Sequence, residues 1–114
     1  MTKINQNLIT WSGDDTTLRF SITGSGGAGE NVTGASIIWI LFDSPRGSSL
    51  IRKTTDTVNE VTISSSIVDI NISGSNTSNL AGDYYHELQI IRASDGKTQT
   101  AAVGWATINR DLIS

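Results

Sequence analysis

Cysteine is missing from this 114-residue chain. Disulfides, zinc–thiolate sites and thiol nucleophiles are therefore excluded together. Histidine occurs once, at His86, and proline once, at Pro45. A lone imidazole supplies no set of convergent metal ligands, so no metal and no cofactor is expected. Charge is also scarce. Charged residues make up 17% of the chain, the net charge is −3, and no basic run occurs. Phosphate recognition needs clustered Lys and Arg, so nucleic acid is not an expected partner. The longest apolar run, "IIWILF" (Ile37–Phe42), is far shorter than the roughly 20 residues a bilayer-spanning helix needs. No membrane partner is expected either. The opening "MTKINQNLITWSG" has no apolar stretch of the kind a secretion signal carries, which points to synthesis in a cytoplasm. Sequons begin at Asn31, Asn71 and Asn76. In a chain rich in Asn, Ser and Thr they read as chance matches.

What is present is a series of short alternating segments. "TLRFSIT" (Thr17–Thr23) sets Leu18, Phe20 and Ile22 against Arg19 and Ser21. "IVDINIS" (Ile67–Ser73) sets Val68, Ile70 and Ile72 against Asp69 and Asn71. "VTI" (Val61–Ile63) is a shorter case. A period of two is the signature of half-buried strands, and apolar residues do not recur at helical spacing over any long window. "SIIWILF" (Ser36–Phe42) is apolar on both faces, which predicts a central strand covered on both sides. Its β-branched and aromatic content favours strand over helix.

Turn chemistry separates these segments. "GSGGAGE" (Gly24–Glu30), "DSPRGSS" (Asp43–Ser49) and "GSNTSN" (Gly74–Asn79) read as loops. "SDGK" (Ser94–Lys97) carries Asp-Gly between two strand-like segments and predicts a hairpin with a two-residue type I′ turn. That pairs "DYYHELQIIRA" with "KTQTAAVGWATI". Seven or eight short strands with frequent turns predict an all-β fold, an immunoglobulin-like antiparallel β-sandwich over residues 1–114, with a short N-terminal arm (1–10) and a C-terminal tail (109–114). A small closed barrel is the alternative. Trp39 is placed to fill the large-aromatic position of the central strand.

The polar clusters read as structure. In "DYYHELQII", Tyr84, His86, Leu88 and Ile90 fall on one face and Tyr85, Glu87, Gln89 and Ile91 on the other. His86 and Glu87 therefore point apart and cannot form an acid–base pair. His86 is expected to be half-buried, with a ring nitrogen bonded to a backbone or tyrosine group. Tyr84, following "AGD", fits a tyrosine corner whose phenol bonds nearby backbone. "SGDD" (Ser12–Asp15) departs from calcium-loop spacing and reads as Asx-type turn stabilisation. "SSS" (Ser64–Ser66) has no histidine near it in sequence, and no nucleophile elbow occurs. "GSGGAG" lacks the strand–loop–helix context and the Lys-Ser/Thr ending of a phosphate loop.

The order of segments carries a further signal. "GDD-x-x-L-R-F" (Gly13–Phe20) is followed by "VTGASIIWILF" (Val32–Phe42), the short charged strand "LIRKTT" (Leu50–Thr55), and the block "NLAGDYYHELQIIRASDGKTQTAAVGWATI" (Asn79–Ile108). This arrangement resembles the immunoglobulin-like module of tailed-bacteriophage virion proteins, best known from the N-terminal domain of phage baseplate upper proteins. The likeness spans residues 11–108. It implies a non-enzymatic virion structural protein with no catalytic residues, made in the bacterial host cytoplasm and used in many symmetric copies against major capsid or tail and baseplate proteins. Standing alone, such a module is expected as a capsid decoration or cement protein, or as a neck, tail or baseplate component. A receptor- or carbohydrate-binding module on the phage exterior is the alternative, although several of the Trp and Tyr side chains are expected in the core. Segments not needed to close the core are the expected partner contacts. They are Ile4, Leu8 and Ile9 of the arm, Pro45 and Arg46 of the loop after the central strand, and Leu112 and Ile113 of the tail.

Overall fold

A computed structural model of the chain describes residues 4–24, 29–57, 59–93 and 95–110. Two sheets face each other across one core. The larger holds β1 (Ile4–Asn5), β2 (Leu8–Trp11), β4 (Ser36–Phe42), β5 (Ser49–Thr54), β8 (Gly82–Ile91) and β9 (Thr98–Asn109). The smaller holds β3 (Thr16–Ser21), β6 (Val61–Ser64) and β7 (Ile67–Ile72), in the order β3–β7–β6. In the larger sheet β4 lies between β5 and β8, and β9 lies beyond β8. The immunoglobulin-like sandwich is therefore the fold, rather than the barrel.

The alternation read from the sequence builds the core. Leu18, Phe20 and Ile22 face inwards from β3 and its end, and Val68, Ile70 and Ile72 from β7. From the opposite sheet come Ile37, Trp39 and Leu41, with Leu88 and Ile90 beside them. Each such side chain stabilises the fold by roughly 1.5–3 kcal/mol when fully buried. Trp39 is buried in the central strand as expected. Strand β4 differs from expectation on its other face. Ile38, Ile40 and Phe42 are only half-buried, because nothing among the described residues packs over that side of the sheet.

Two loops differ from expectation. "GSNTSN" contains one helical turn, α1 (Gly74–Thr77). Its first amides are taken by side chains, Ser73 N–H by Asn76 Oδ1 and Gly74 N–H by Asp15 Oδ1 at 2.6 Å. Asp15 therefore serves a segment 59 residues away, and the local Asx turn expected for "SGDD" gives way to this cap. The hairpin between β8 and β9 is antiparallel as expected, but its reversal is longer than two residues. Ile91 pairs with Thr98, Arg92 N–H bonds Lys97 O, and Gly96 N–H bonds Arg92 O. Gly96 takes the left-handed φ of 71° that closes the loop, a conformation open to glycine at little cost.

The N-terminal arm is the largest departure. From Ile4 onwards it is part of the large sheet and pairs in parallel with β9. Ile4 and Asn5 lie beside Ala102 and Val103, and Leu8 to Trp11 lie beside Ala106 to Asn109. The physical reason is visible at the crossing between β1 and β2. Gln6 N–H bonds Val103 O, its side-chain Nε2 donates to Arg19 O of the opposite sheet, and its carbonyl meets His86. Asn7 Oδ1 accepts Trp105 N–H. Gly104 makes the approach possible, since a Cβ there would overlap the Gln6 carbonyl. The arm thus satisfies the edge of β9 within the chain, where the sequence alone leaves it for a partner. At the other end, β9 runs on through Asn109, the first residue of the expected tail, which pairs with Trp11.

Candidate interaction surface

His86 is fully buried, not half-buried, and both ring nitrogens are engaged. Trp39 Nε1–H donates to Nδ1 at 3.1 Å, and Nε2 lies 2.6 Å from Gln6 O. The indole has only a donor and the carbonyl only lone pairs. The ring must therefore be neutral, with its proton on Nε2. Burial lowers its pKa below 6.5, against weaker opposing effects of the Gln6 carbonyl and Glu87. The imidazole joins β4, β8 and the β1–β2 crossing. Tyr84 forms the expected corner, with its hydroxyl donating to Ala81 O and accepting from Ala81 N–H, both at 3.0 Å. Among the described residues no three His, Cys, Asp or Glu side chains gather as a metal-binding group. None of the described helices is long and apolar enough to cross a membrane.

A polar hollow of about 650 Å³ opens between β3, β7 and the loop before β6. Its side chains hold that loop in place. Glu60 Oε1 accepts Thr54 N–H and its Oε2 lies 3.8 Å from Lys53 Nζ. Asn71 donates to Asn59 O and accepts from Thr17. Asp15 caps α1. These groups are occupied by their own neighbours, which makes the hollow a poor receptor.

The outward face of the large sheet has a different character. Register sets one row across it as Phe42, Tyr85 and Trp105, on β4, β8 and β9. Phe42 and Tyr85 lie 6.4 Å apart, and Tyr85 meets Trp105 edge-on at 6.1 Å and 79°. The next row is Arg52, Ile40, Glu87 and Val103. Towards the edge Ile9 and Trp11 project from β2 beside Thr107 and Asn109. Ile9 is 72% exposed, Trp11 50% and Trp105 49%. Large apolar groups gathered on one face of a sheet mark an interaction surface more strongly than the same residues scattered singly. The Tyr85 hydroxyl lies 3.4 Å from Glu87 Oε1, and desolvation with that carboxylate raises its pKa.

The residues expected to meet partners separate by position. Ile9 lies on this face. Leu8, its neighbour, points inwards and packs on the core. Ile4 pairs through its backbone with Ala102. Pro45 and Arg46 are exposed in the β4–β5 turn, where Arg46 has a φ of 78°. Leu112 and Ile113 lie outside the described residues. Trp11, Tyr85 and Trp105 are surface groups not singled out from the sequence, where several of the Trp and Tyr side chains are expected in the core. A signal for Trp105 is present. It alternates with Ala102, Gly104, Ala106 and Ile108, whose small or apolar side chains suit the inward face.

No family model and no curated protein matches the chain. Among solved structures it is similar to the NK cell receptor Nkp44, described as a triggering partner in natural cytotoxicity, with a TM-score of 0.53 and 14% identity. The match covers 91% of this chain and 97% of that one. At this identity the likeness concerns the fold, and it agrees with the immunoglobulin-like sandwich.

Proposed function

We propose that the chain is a non-enzymatic structural protein of a bacteriophage virion, a capsid decoration or cement protein or a neck, tail or baseplate component, held by the outward face of its large sheet. The observation that carries this reading is the exposed group of Ile9, Trp11 and Trp105 at the β2–β9 edge. Aromatic side chains of this size dominate protein interfaces because they remove much apolar area at small entropic cost. The order of sequence segments supplies the virion context. Mass spectrometry of purified particles from the phage that encodes the chain should find it at a copy number set by particle symmetry. In the same phage, the pair Ile9→Glu and Trp105→Glu should leave the isolated domain folded by circular dichroism and remove it from particles. Particles lacking the wild-type chain overturn the reading.

Carbohydrate binding is the second reading. Two of the three tryptophans are half-exposed on one sheet face, where an indole ring offers a stacking platform. Tryptophan fluorescence changes on titration with host cell-surface glycans, lost in Trp105→Ala, would favour it.

A further inference from the structure

The centre of the outward face is laid out differently from its β2–β9 edge. Strand β4 runs along the middle with Ile38, Ile40 and Phe42 half-buried. Ile40 pairs with Arg52 on one side and with Glu87 on the other. Opposite charges therefore sit one strand to each side of an apolar line. Arg52 is exposed and makes no ion pair among the described residues. The Glu87 carboxylate meets the Tyr85 hydroxyl at 3.4 Å and no cation among the described residues. A shallow hollow of about 60 Å³ lies on this face, lined by Ile38, Ile40, Phe42, Glu87 and Gln89.

We propose that this central zone binds a second copy of the chain, forming a two-fold dimer with the β4 strands face to face. A half-turn about an axis along β4 exchanges the strand on one side for the strand on the other. It sets Arg52 of each copy over Glu87 of its partner copy, giving two equivalent ion pairs. Ile38, Ile40 and Phe42 then stack on their own equivalents. An interface of this kind is isologous, with each contact made twice. The aliphatic stem of Arg52 lies over the hollow beside Glu87, with its head on the carboxylate. Size fits a reversible pair. The overlap covers three strand positions, β5, β4 and β8, and at about 4.8 Å apart and about seven residues long these give a face of roughly 14 by 23 Å, on the order of 330 Å². That is below the roughly 800 Å² per partner of a standard stable interface. Strand β9 falls beyond β5 of the other copy, so Trp105, Ile9 and Trp11 stay uncovered. The dimer therefore leaves free the edge assigned above to a virion partner, and does not depend on that assignment.

Sedimentation velocity over a wide concentration range tests this on the full chain. The weight-average mass should rise reversibly from monomer to dimer, and added salt, screening the two ion pairs, should weaken the association. Arg52→Glu should move the transition at least tenfold higher in concentration, since two carboxylates then face each other. Combining Arg52→Glu with Glu87→Arg should bring it back to within about threefold of the parent. Trp105→Glu should leave the transition in place. A parent that stays monomeric at millimolar concentration overturns the proposal. So does Arg52→Glu dimerising like the parent, a charge swap that fails to restore association although folded by circular dichroism, or loss of the dimer in Trp105→Glu. A monomer still incorporated into particles removes the dimer and leaves the virion reading intact.

Discussion

At the scale of single residues, His86 is the most constrained side chain. Replacing it with Leu leaves the Trp39 indole N–H and the Gln6 carbonyl without partners in a dry core. An unsatisfied buried group costs about 1–3 kcal/mol, so urea denaturation should show His86→Leu destabilised by about 2–5 kcal/mol. In a Trp39→Phe background the loss should be smaller, because the donor that needed the ring has gone. That coupling is measurable in a double-mutant cycle. The ring also predicts a pH dependence. About a pH unit or more above 6.5, the ordinary value, it is neutral in folded and unfolded chains alike and contributes no slope. As pH falls below 6.5 the unfolded chain takes up a proton that the folded ring refuses, because burial disfavours the charged ring and the proton would also face the Trp39 N–H. Stability should fall with pH from 6.5 down to the lowered folded pKa, with a slope approaching about 1.4 kcal/mol per pH unit. Denaturation midpoints measured at several pH values should lose this component in His86→Leu. Gly96 gives a cleaner test of backbone geometry, since a Cβ there meets nothing within 4 Å. Gly96→Val should cost about 1–3 kcal/mol from its φ alone, and Gly96→Asn distinctly less, both read by thermal unfolding.

At the scale of elements, the strands differ in how much of them the sequence discloses. Leu18, Phe20 and Ile22, and Val68, Ile70 and Ile72, state their buried face by alternation alone. So do Leu88 and Ile90, and the same alternation separates His86 from Glu87. The placement of β1 and β2 is hidden because it depends on distant residues. Gln6 lies 80 residues from His86, and Asn7 lies 98 from Trp105. The close approach rests on Gly104, in a strand near the other end of the chain. No local pattern reports such a pairing. The outer side of β4 departs from expectation for a related reason. An apolar run shows that a face can be covered, while the number of layers decides whether it is. Two predictions belong here. Deleting residues 1–9 should remove the Gln6 bridge and expose the β9 edge, so circular dichroism should show loss of the cooperative fold rather than a trimmed domain. Gly104→Ala should force Gln6 away from β9, and hydrogen exchange should quicken first at the Gln6 and Trp105 amides.

At the scale of the whole molecule, the sandwich buries one face of each sheet, and the two outward faces have different characters. The small sheet shows a polar exterior, with Arg19 and Asp69 joined by two hydrogen bonds of 2.9 and 3.1 Å. The large sheet shows aromatics, and that asymmetry gives the domain a front and a back. The fold class is legible from strand spacing and turns. The front is not, because assigning Trp11, Tyr85 and Trp105 to surface or core requires knowing which sheet lacks a third layer. The parallel pairing of β1 and β2 with β9 has one more consequence, a mechanical one. Ile4 lies beside Ala102 while the far end of the ladder joins Trp11 to Asn109. Tension applied to the two ends of the described chain therefore acts along the ladder and loads its hydrogen bonds in shear, all at once. Tension between Gly82 and Ile108, neighbours at one end of the antiparallel β8–β9 ladder, opens bonds one after another. Single-molecule pulling through Ile4 and Asn109 should meet a higher rupture force than pulling through Gly82 and Ile108 at the same rate.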